Sequence, residues 1–439
     1  MPGDLYVEFA GKPVEVNLRG TRKVTEVCER IGQVLDVDPG RLRLFANTKD
    51  EVTECSRVPG DVSMLTLQLL PDPLEIAIAK ACRVRNFVDL AECSSVKLCY
   101  SDLTALPKTF AELTNLHVVD LASNKLERLP RNFSKLRFLQ KLELRSNMLK
   151  ALPDDFGTFK KLAELDVSKN QLVELPQSFG QLAALLELNA SSNSLTALPD
   201  SFGQLEAFRK SVRTYSEVSI NLSSNQLVAL PESFGELRAI QILKLTSNLL
   251  QGLPSTFGKI ECLRRLEISS NRLVSLPSNF GELSSLQTLD LRSNLLAALP
   301  DNFGQLASLG KLDLSSNRLM MLPSSFIQLK SLYWLDAHSN FLSALPDGFE
   351  KLRSLWKVNL SKNLLTDLPS KFGDLPNVND LDVRSNLLAS LPESLNGACA
   401  KGQVHLDLCT RFLMNRRVRV PRWFASLTLH VKKMCCHRR

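Results

Sequence analysis

The stretch from Leu289 to Leu309 reads LDLRSNLLAALPDNFGQLASL, and most of the chain is built from copies of it. Leu289 and Leu291 stand one residue apart, Asn294 follows, and then come Leu296, Leu299, Pro300 and Phe303. The pattern returns 23 residues later as LDLSSNRLMMLPSSFIQL from Leu312, and 23 residues earlier as LEISSNRLVSLPSNFGEL from Leu266. A constant period restricts the chain to stacked units, because one short unit cannot bury its apolar face alone. Leu-x-Leu reads as a short strand whose alternate side chains point inward. Asn294 falls where the chain turns out of that strand, so its amide can bond the backbone of neighbouring turns and form a ladder. Leu299 and Phe303 fill the core behind the strand, and Pro300 stiffens the return path.

Thirteen turns start at Val96, Val119, Leu142, Leu165, Leu188, Ile220, Leu243, Leu266, Leu289, Leu312, Leu335, Val358 and Leu381. Twelve carry the turn Asn, from Asn124 to Asn386, and twelve carry the inner Phe, from Phe110 to Phe372. The form LxxLxLSxNxLxxLPxxFGxL resembles the leucine-rich repeat family, and within it the intracellular Ras-group members. The fold class implied is an α/β solenoid, a leucine-rich repeat horseshoe of about thirteen turns over residues 96–396. The resemblance implies a scaffold in signal transduction, with small GTPases or phosphatase subunits as partners. The spacing from Leu188 to Ile220 is 32 residues, nine over the rule. The excess lies near 209–217, RKSVRTYSE, and is expected as a loop on the return side or edge. A tolerated insertion and a partner or phosphorylation site both remain open for it.

Residues 1–70 do not share the repeat. LYVEFAG and KPVEVNLRG read as two strands joined at Gly11-Lys12. KVTEVCERIGQVLDV follows with Val24, Val27, Ile31 and Val34/Leu35 at helical spacing, and Asp38-Pro39-Gly40 stops it. RLRLFA and MLTLQLL read as further strands. This order resembles the ubiquitin-like β-grasp, whose small domain would precede the solenoid. A packing or adaptor role and a link to ubiquitin-dependent turnover are both readings of it. Residues 71–95 form a linker and helical N-cap, with Ile76, Ala77, Ala79, Lys80 and Val84 on an amphipathic helix. An open first layer of a solenoid needs such a cap.

The middle residue of each strand faces solvent on the concave side, and this column is largely acidic, as at Asp120, Glu143, Asp166, Asp290, Asp313 and Asp336. Cations at Lys141, Arg145, Arg265, Arg292, Lys311 and Arg384 flank it, which reads as a ladder of weak surface ion pairs. One place departs from that pattern. SLYWLDAHSNF exposes Tyr333, Trp334, Asp336, His338 and Phe341, and the next turn sets Trp356 beside Tyr333 and Lys357 beside Trp334. With Asp382 and Arg384 one turn further, these residues form the candidate protein-binding site, since exposed Trp and Tyr are typical anchors. The competing reading is that Tyr333 and Trp356 pack against the sheet edge.

Residues 397–439 hold 10 Lys/Arg against the single acid Asp407, so this basic C-terminal cap or tail carries more than the whole net charge of +8 and the rest of the chain is about neutral. Arg416 to Phe424, RRVRVPRWF, could touch nucleic acid or a membrane. His430, Cys435, Cys436 and His437 lack a familiar zinc spacing. No phosphate loop, H-E-x-x-H or G-x-S-x-G motif occurs. The expectation is a non-enzymatic protein without cofactor or metal. The start has no basic segment followed by an apolar run, and the ten cysteines show no paired cap. These features predict a cytoplasmic setting, with the nucleus also open.

Overall fold

Wherever Leu-x-Leu recurs, a three-residue parallel strand forms, and consecutive strands pair without a gap. The computed structural model describes residues 6–9, 12–14, 24–35, 42–46, 50–52, 64–69, 72–210, 217–395 and 404–405. The chain divides into two compact units, Met1–Glu92 and Cys93–Arg439.

In the first unit, β1 (Tyr6–Phe9) pairs antiparallel with β2 (Lys12–Val14) and parallel with β5 (Met64–Leu69). β3 (Leu42–Ala46) pairs antiparallel with β5 and with β4 (Asp50–Val52), giving the order β2-β1-β5-β3-β4. The helix α1 spans Val24–Leu35 and buries Val24, Val27 and Ile31, the stripe expected from their spacing. Strand β4 went unread because Asp50-Glu51-Val52 carries charge and no alternation. A second helix, α2 (Pro73–Ala81), starts with a capping box: Asp72 accepts from the Leu74 N–H at 2.8 Å, and Glu75 reaches back to the Asp72 N–H. It is shorter than the amphipathic pattern suggests. Arg83 adopts a left-handed conformation, φ 57°, which ends it, and Val84 lies beyond. Ile78 and Ala79 are buried, whereas Ile76, expected on the apolar face, is exposed.

In the second unit, thirteen strands run in register from β6 (Ser95–Lys97) to β18 (Asp380–Asp382), and β19 (Val404–His405) adds a further one beyond the repeat. This is an open leucine-rich repeat solenoid. Two features of the repeat hold it. The first is the Asn ladder. Asn294 Oδ1 accepts from Leu273 N–H at 3.1 Å, and its Nδ2 donates to the Ile268 and Leu291 carbonyls at 3.0 Å each. One side chain thus bonds backbone groups of its own turn and the preceding one: it is the acceptor for the buried Leu273 N–H, and it shares the Ile268 and Leu291 carbonyls with Asn271 and Asn317. The second is the phenylalanine row. From Phe156 to Phe372 successive rings stack at 5.5–6.5 Å between centroids and nearly parallel. Phe133 and Phe156 are instead bridged by Phe159, which meets both rings edge-on. Turns approach so closely here that a Cβ on Gly304 would lie 1.9 Å from the Ser325 carbonyl oxygen. That contact explains the Gly that follows most of these Phe residues.

The long spacing before Ile220 leaves both features intact. Leu188 still pairs with Ile220, and Asn225 still bonds the Leu195 N–H at 3.0 Å. The extra residues leave after Phe208, which is fully buried at the core position that Leu309 holds in the standard unit. A short helix, α3 (Glu206–Arg209), leads into them. Residues 211–216 of the insertion, and the basic run from Arg416 to Phe424, lie outside the described residues.

Candidate protein-binding face

The last residue of each three-residue strand, the one between the two core leucines, is predominantly Asp or Asn for a local reason. Its side-chain oxygen accepts the backbone N–H two residues on, where the chain leaves the strand. Asp290 accepts from Arg292, Asp313 from Ser315, Asp336 from His338, Asn359 from Ser361 and Asp382 from Arg384, all at 3.0–3.1 Å. The acidic column is therefore first a set of backbone caps. Its carboxylates are recessed, while the cations around them reach outward: Asp382 exposes 14% of its side chain against 53% for its partner Arg384. This qualifies the picture of a simple ladder of surface ion pairs.

Recessing carboxylates in adjacent strands has an electrostatic cost. Burial pushes the Asp313 carboxyl above the usual carboxylate range, and the charges of Asp336 and Asp290 on either side push the same way, against the bonds from Ser315. Glu143 is likewise raised, mainly by burial, with Asp166 and Asp120 adding to the effect and Lys141 opposing it. Lys141, held by Glu164 and Glu143, keeps its proton well past the ordinary lysine range. Asp382 moves the other way: burial would raise it, but Arg384 outweighs that and lowers it.

Asp313→Asn is expected to stabilise the solenoid by about 0.5–1 kcal/mol at neutral pH, because it removes two like-charge neighbours and keeps the acceptor for the Ser315 N–H. Asn189, Asn221 and Asn359 already do this in their own turns. The sign with pH follows from the raised carboxyl. The charged form is penalised in the folded chain, so the cost exists above the folded pKa and disappears once the pH falls below the unfolded one. Thermal melts of parent and variant should thus differ at pH 7 and converge in acid. Equal melting temperatures at pH 7 would refute the strain.

The residues singled out from the sequence lie on three consecutive turns, but Trp334, Asp336 and His338, expected exposed, are half-buried because Lys311 lies over the indole and Asp336 and His338 bond each other. β16 is Trp334–Asp336, and Trp334 is in register with Lys311 on one side and Lys357 on the other. The Lys311 ammonium lies 4.7 Å from the centre of the Trp334 ring, a cation–π contact. Lys357 turns away to Asp380, 2.7 Å distant, which holds its proton more tightly. Tyr333 and Trp356 sit at the same position of adjacent turns, with the Trp356 N–H bonded to the Tyr333 carbonyl at 2.8 Å, and each is 50% exposed. The Tyr333 ring occupies the space that Gly310 leaves open: a Cβ there would stand 2.7 Å from the ring. Asp336 is tied down by its neighbours. His338 Nδ1 lies 2.7 Å from Oδ1, and the Asn359 amide donates to Oδ2 at 3.2 Å. Asp382, at the end of the strand two places from that of Asp336, pairs with Arg384 just past it.

Phe341 was expected exposed, but its continuation through Leu364 and Leu387 escaped the sequence reading. Phe341, Leu364 and Leu387 each follow the ladder Asn of consecutive turns, and all three are exposed. Their signal was present as three large apolar residues 23 apart. The position seemed unimportant because in other turns it holds Lys125, Gln171 or Arg272. Among the described residues no group of His, Cys, Asp and Glu is arranged to hold a metal ion, and no helix is long and apolar enough to cross a membrane.

Comparison with known proteins agrees with this architecture. An internalin from Listeria monocytogenes is similar over 78% of this chain and 99% of its own, with a TM-score of 0.60 at 16% identity, a likeness of fold alone. A plant peptide hormone receptor, RGFR1, solved in complex with RGF2, is similar over 69% of this chain at 26% identity and a TM-score of 0.51. The match spans 56% of that receptor chain. A leucine-rich repeat protein of Leptospira interrogans shares 29% identity over 75% of this chain and 98% of its own, with a TM-score of 0.49. No curated protein sequence matches the chain. Leucine rich repeat is the family whose pattern fits residues 93–149, 137–195, 218–273, 263–319 and 330–388. More than half of the sequence is thereby covered, and the chain belongs to the leucine-rich repeat family.

Proposed function

We propose that this protein is a non-enzymatic scaffold that grips other proteins on its parallel sheet, with the main anchor around Trp334. The observation that carries this reading is the aromatic group of exposed Tyr333 and Trp356 with half-buried Trp334; Phe341, Leu364 and Leu387 are exposed further along the turns of Leu335, Val358 and Leu381. Clustered aromatic side chains of this kind supply most of the energy in protein interfaces. The plant receptor, similar at 26% identity and solved with a bound peptide hormone, supports a protein or peptide ligand. Asp336, His338, Asp382 and Arg384 act in this reading mainly by holding the surface in shape. The resemblance of the repeat to Ras-group members directs the search to small GTPases and phosphatase subunits in a cytoplasmic signalling pathway.

Trp334→Ala is expected to weaken capture of partners about 30-fold, the effect of losing about 2 kcal/mol at an anchor. The measurement is quantitative affinity capture from cytosol with parent and variant chains of matched thermal stability. A variant that retains every partner at parental yield would refute the anchor.

A second reading rests on the order β2-β1-β5-β3-β4 with one helix, which supports the ubiquitin-like resemblance of residues 1–70. In that reading the first domain docks the machinery of ubiquitin-dependent turnover and the solenoid selects clients. A chain lacking residues 1–70 would then lose proteasome or ligase components and keep the partners that depend on Trp334.

A further inference from the structure

Exposure decides which charges the concave face offers to a partner. In the turns of Leu266, Leu289 and Leu312, six cations are exposed between the residue preceding each strand and the residue after the ladder Asn: Arg264, Arg265, Arg272, Arg292, Lys311 and Arg318. Arg264 stands just before its strand, Arg265 and Lys311 on their strands, and Arg292 just past one. Arg272 and Arg318 follow ladder Asn residues. Among the described residues, only Arg265 of the six makes an ion pair, with Glu267. The carboxylates on the same strands are Glu267, Asp290 and Asp313, and none is free to meet a ligand first; Glu282 and Asp301, which are exposed, lie on the return path by Phe280 and Phe303. Glu267 holds Arg265, Asp290 takes the Arg292 N–H, and Asp313 takes the Ser315 N–H and hydroxyl. The surface presented is therefore cationic, although its acidic column is what a reading of the letters notices.

Five of the six cations are arginines, whose planar forks bind carboxylates through two parallel hydrogen bonds and are weakly hydrated. The field ends at Trp334, in register with Lys311. We infer that this face takes an acidic segment of a partner protein, its Asp and Glu side chains meeting the arginines and one large apolar residue seated at Trp334. The inference rests on the protein-binding reading above and specifies the chemistry of the partner.

Selection of a random linear peptide library on the full-length chain tests it. Enriched peptides are then titrated against the parent, against a chain with Arg264→Glu and Arg292→Glu, and against Trp334→Ala. Enrichment of Asp and Glu around a large apolar residue is expected, with affinity falling about 100-fold on charge reversal and about 30-fold in Trp334→Ala. Enrichment of Lys and Arg, no enrichment, or binding that survives charge reversal overturns the inference. Should the reversed chain fail to fold, Arg264→Gln with Arg292→Gln replaces it. A loss of about tenfold is then expected, and unchanged affinity overturns the inference. A single-stranded oligonucleotide that binds more tightly than the acidic peptides also overturns it. Peptides that depend on Trp334 and not on the arginines remove the acidic partner but leave the scaffold reading standing. Dependence on neither removes both.

Discussion

Phe280→Ala is expected to cost about 3–5 kcal/mol, the range for deleting a fully buried aromatic ring. Phe280 has no exposed surface, and its ring stacks at 6.2 Å on Phe257 and on Phe303. Each turn touches only its neighbours, so the cavity would lie between turns and weaken the coupling that makes the solenoid unfold as one body. Urea unfolding followed by circular dichroism should show an earlier midpoint, with the transition broadened or divided. Val274→Ala is the control: Val274 belongs to the same turn but is 57% exposed, so its effect should stay within about 0.5 kcal/mol. A Phe280→Ala chain with the parental midpoint would show that the phenylalanine row is a sequence habit and not a source of stability.

Asn294→Ala should cost about 3 kcal/mol. It leaves the buried Leu273 N–H without an acceptor, a penalty of about 1–3 kcal/mol, and removes one of two amide donors from each of the Ile268 and Leu291 carbonyls, which keep Asn271 and Asn317, at about 0.5–1.5 kcal/mol per lost bond. Water entering the gap would recover part of this, which places the expectation near the low end of the sum. Asn294→Asp separates the two halves of the amide. It keeps an acceptor for Leu273 but aims a charge at two carbonyl oxygens. At neutral pH it should therefore be at least as harmful as Asn294→Ala, and less so in acid, where a protonated carboxyl regains one donor. Native-state hydrogen exchange at Leu273 offers a local readout: its amide should lose protection in Asn294→Ala and keep it in the parent.

The same residues show why so much of the second unit was legible from the letters. Leu289, Leu291, Asn294, Leu299 and Phe303 each have a job set by distance along the chain, and the 23-residue period fixes which neighbour each one meets. Strand register, the Asn ladder and the insertion before Ile220 followed from counting. In α2 counting was less reliable. Its length is set by the left-handed Arg83 rather than by apolar spacing, and Ile76 is exposed although the pattern placed it inward.

At the candidate site the division is sharper. That Tyr333, Trp334, Trp356 and Lys357 share one place on the sheet was readable, because register in a repeat is arithmetic. That Tyr333 lies over Gly310, that Lys311 and not Lys357 covers Trp334, and that Lys357 turns to Asp380 were not, because rotamers answer to neighbours from other turns. The balance of charge depended on depth in the same way. Asp313 and Arg292 count equally as letters, yet one is drawn inward by backbone N–H groups of its own turn and the other extends into water. The sequence alone determined the period, the parallel stack, its ladder and its buried row, since each needs only residue type and spacing. Only the tertiary structure decided which charges and rings meet a partner, since exposure is a property of packing between turns and not of order along the chain.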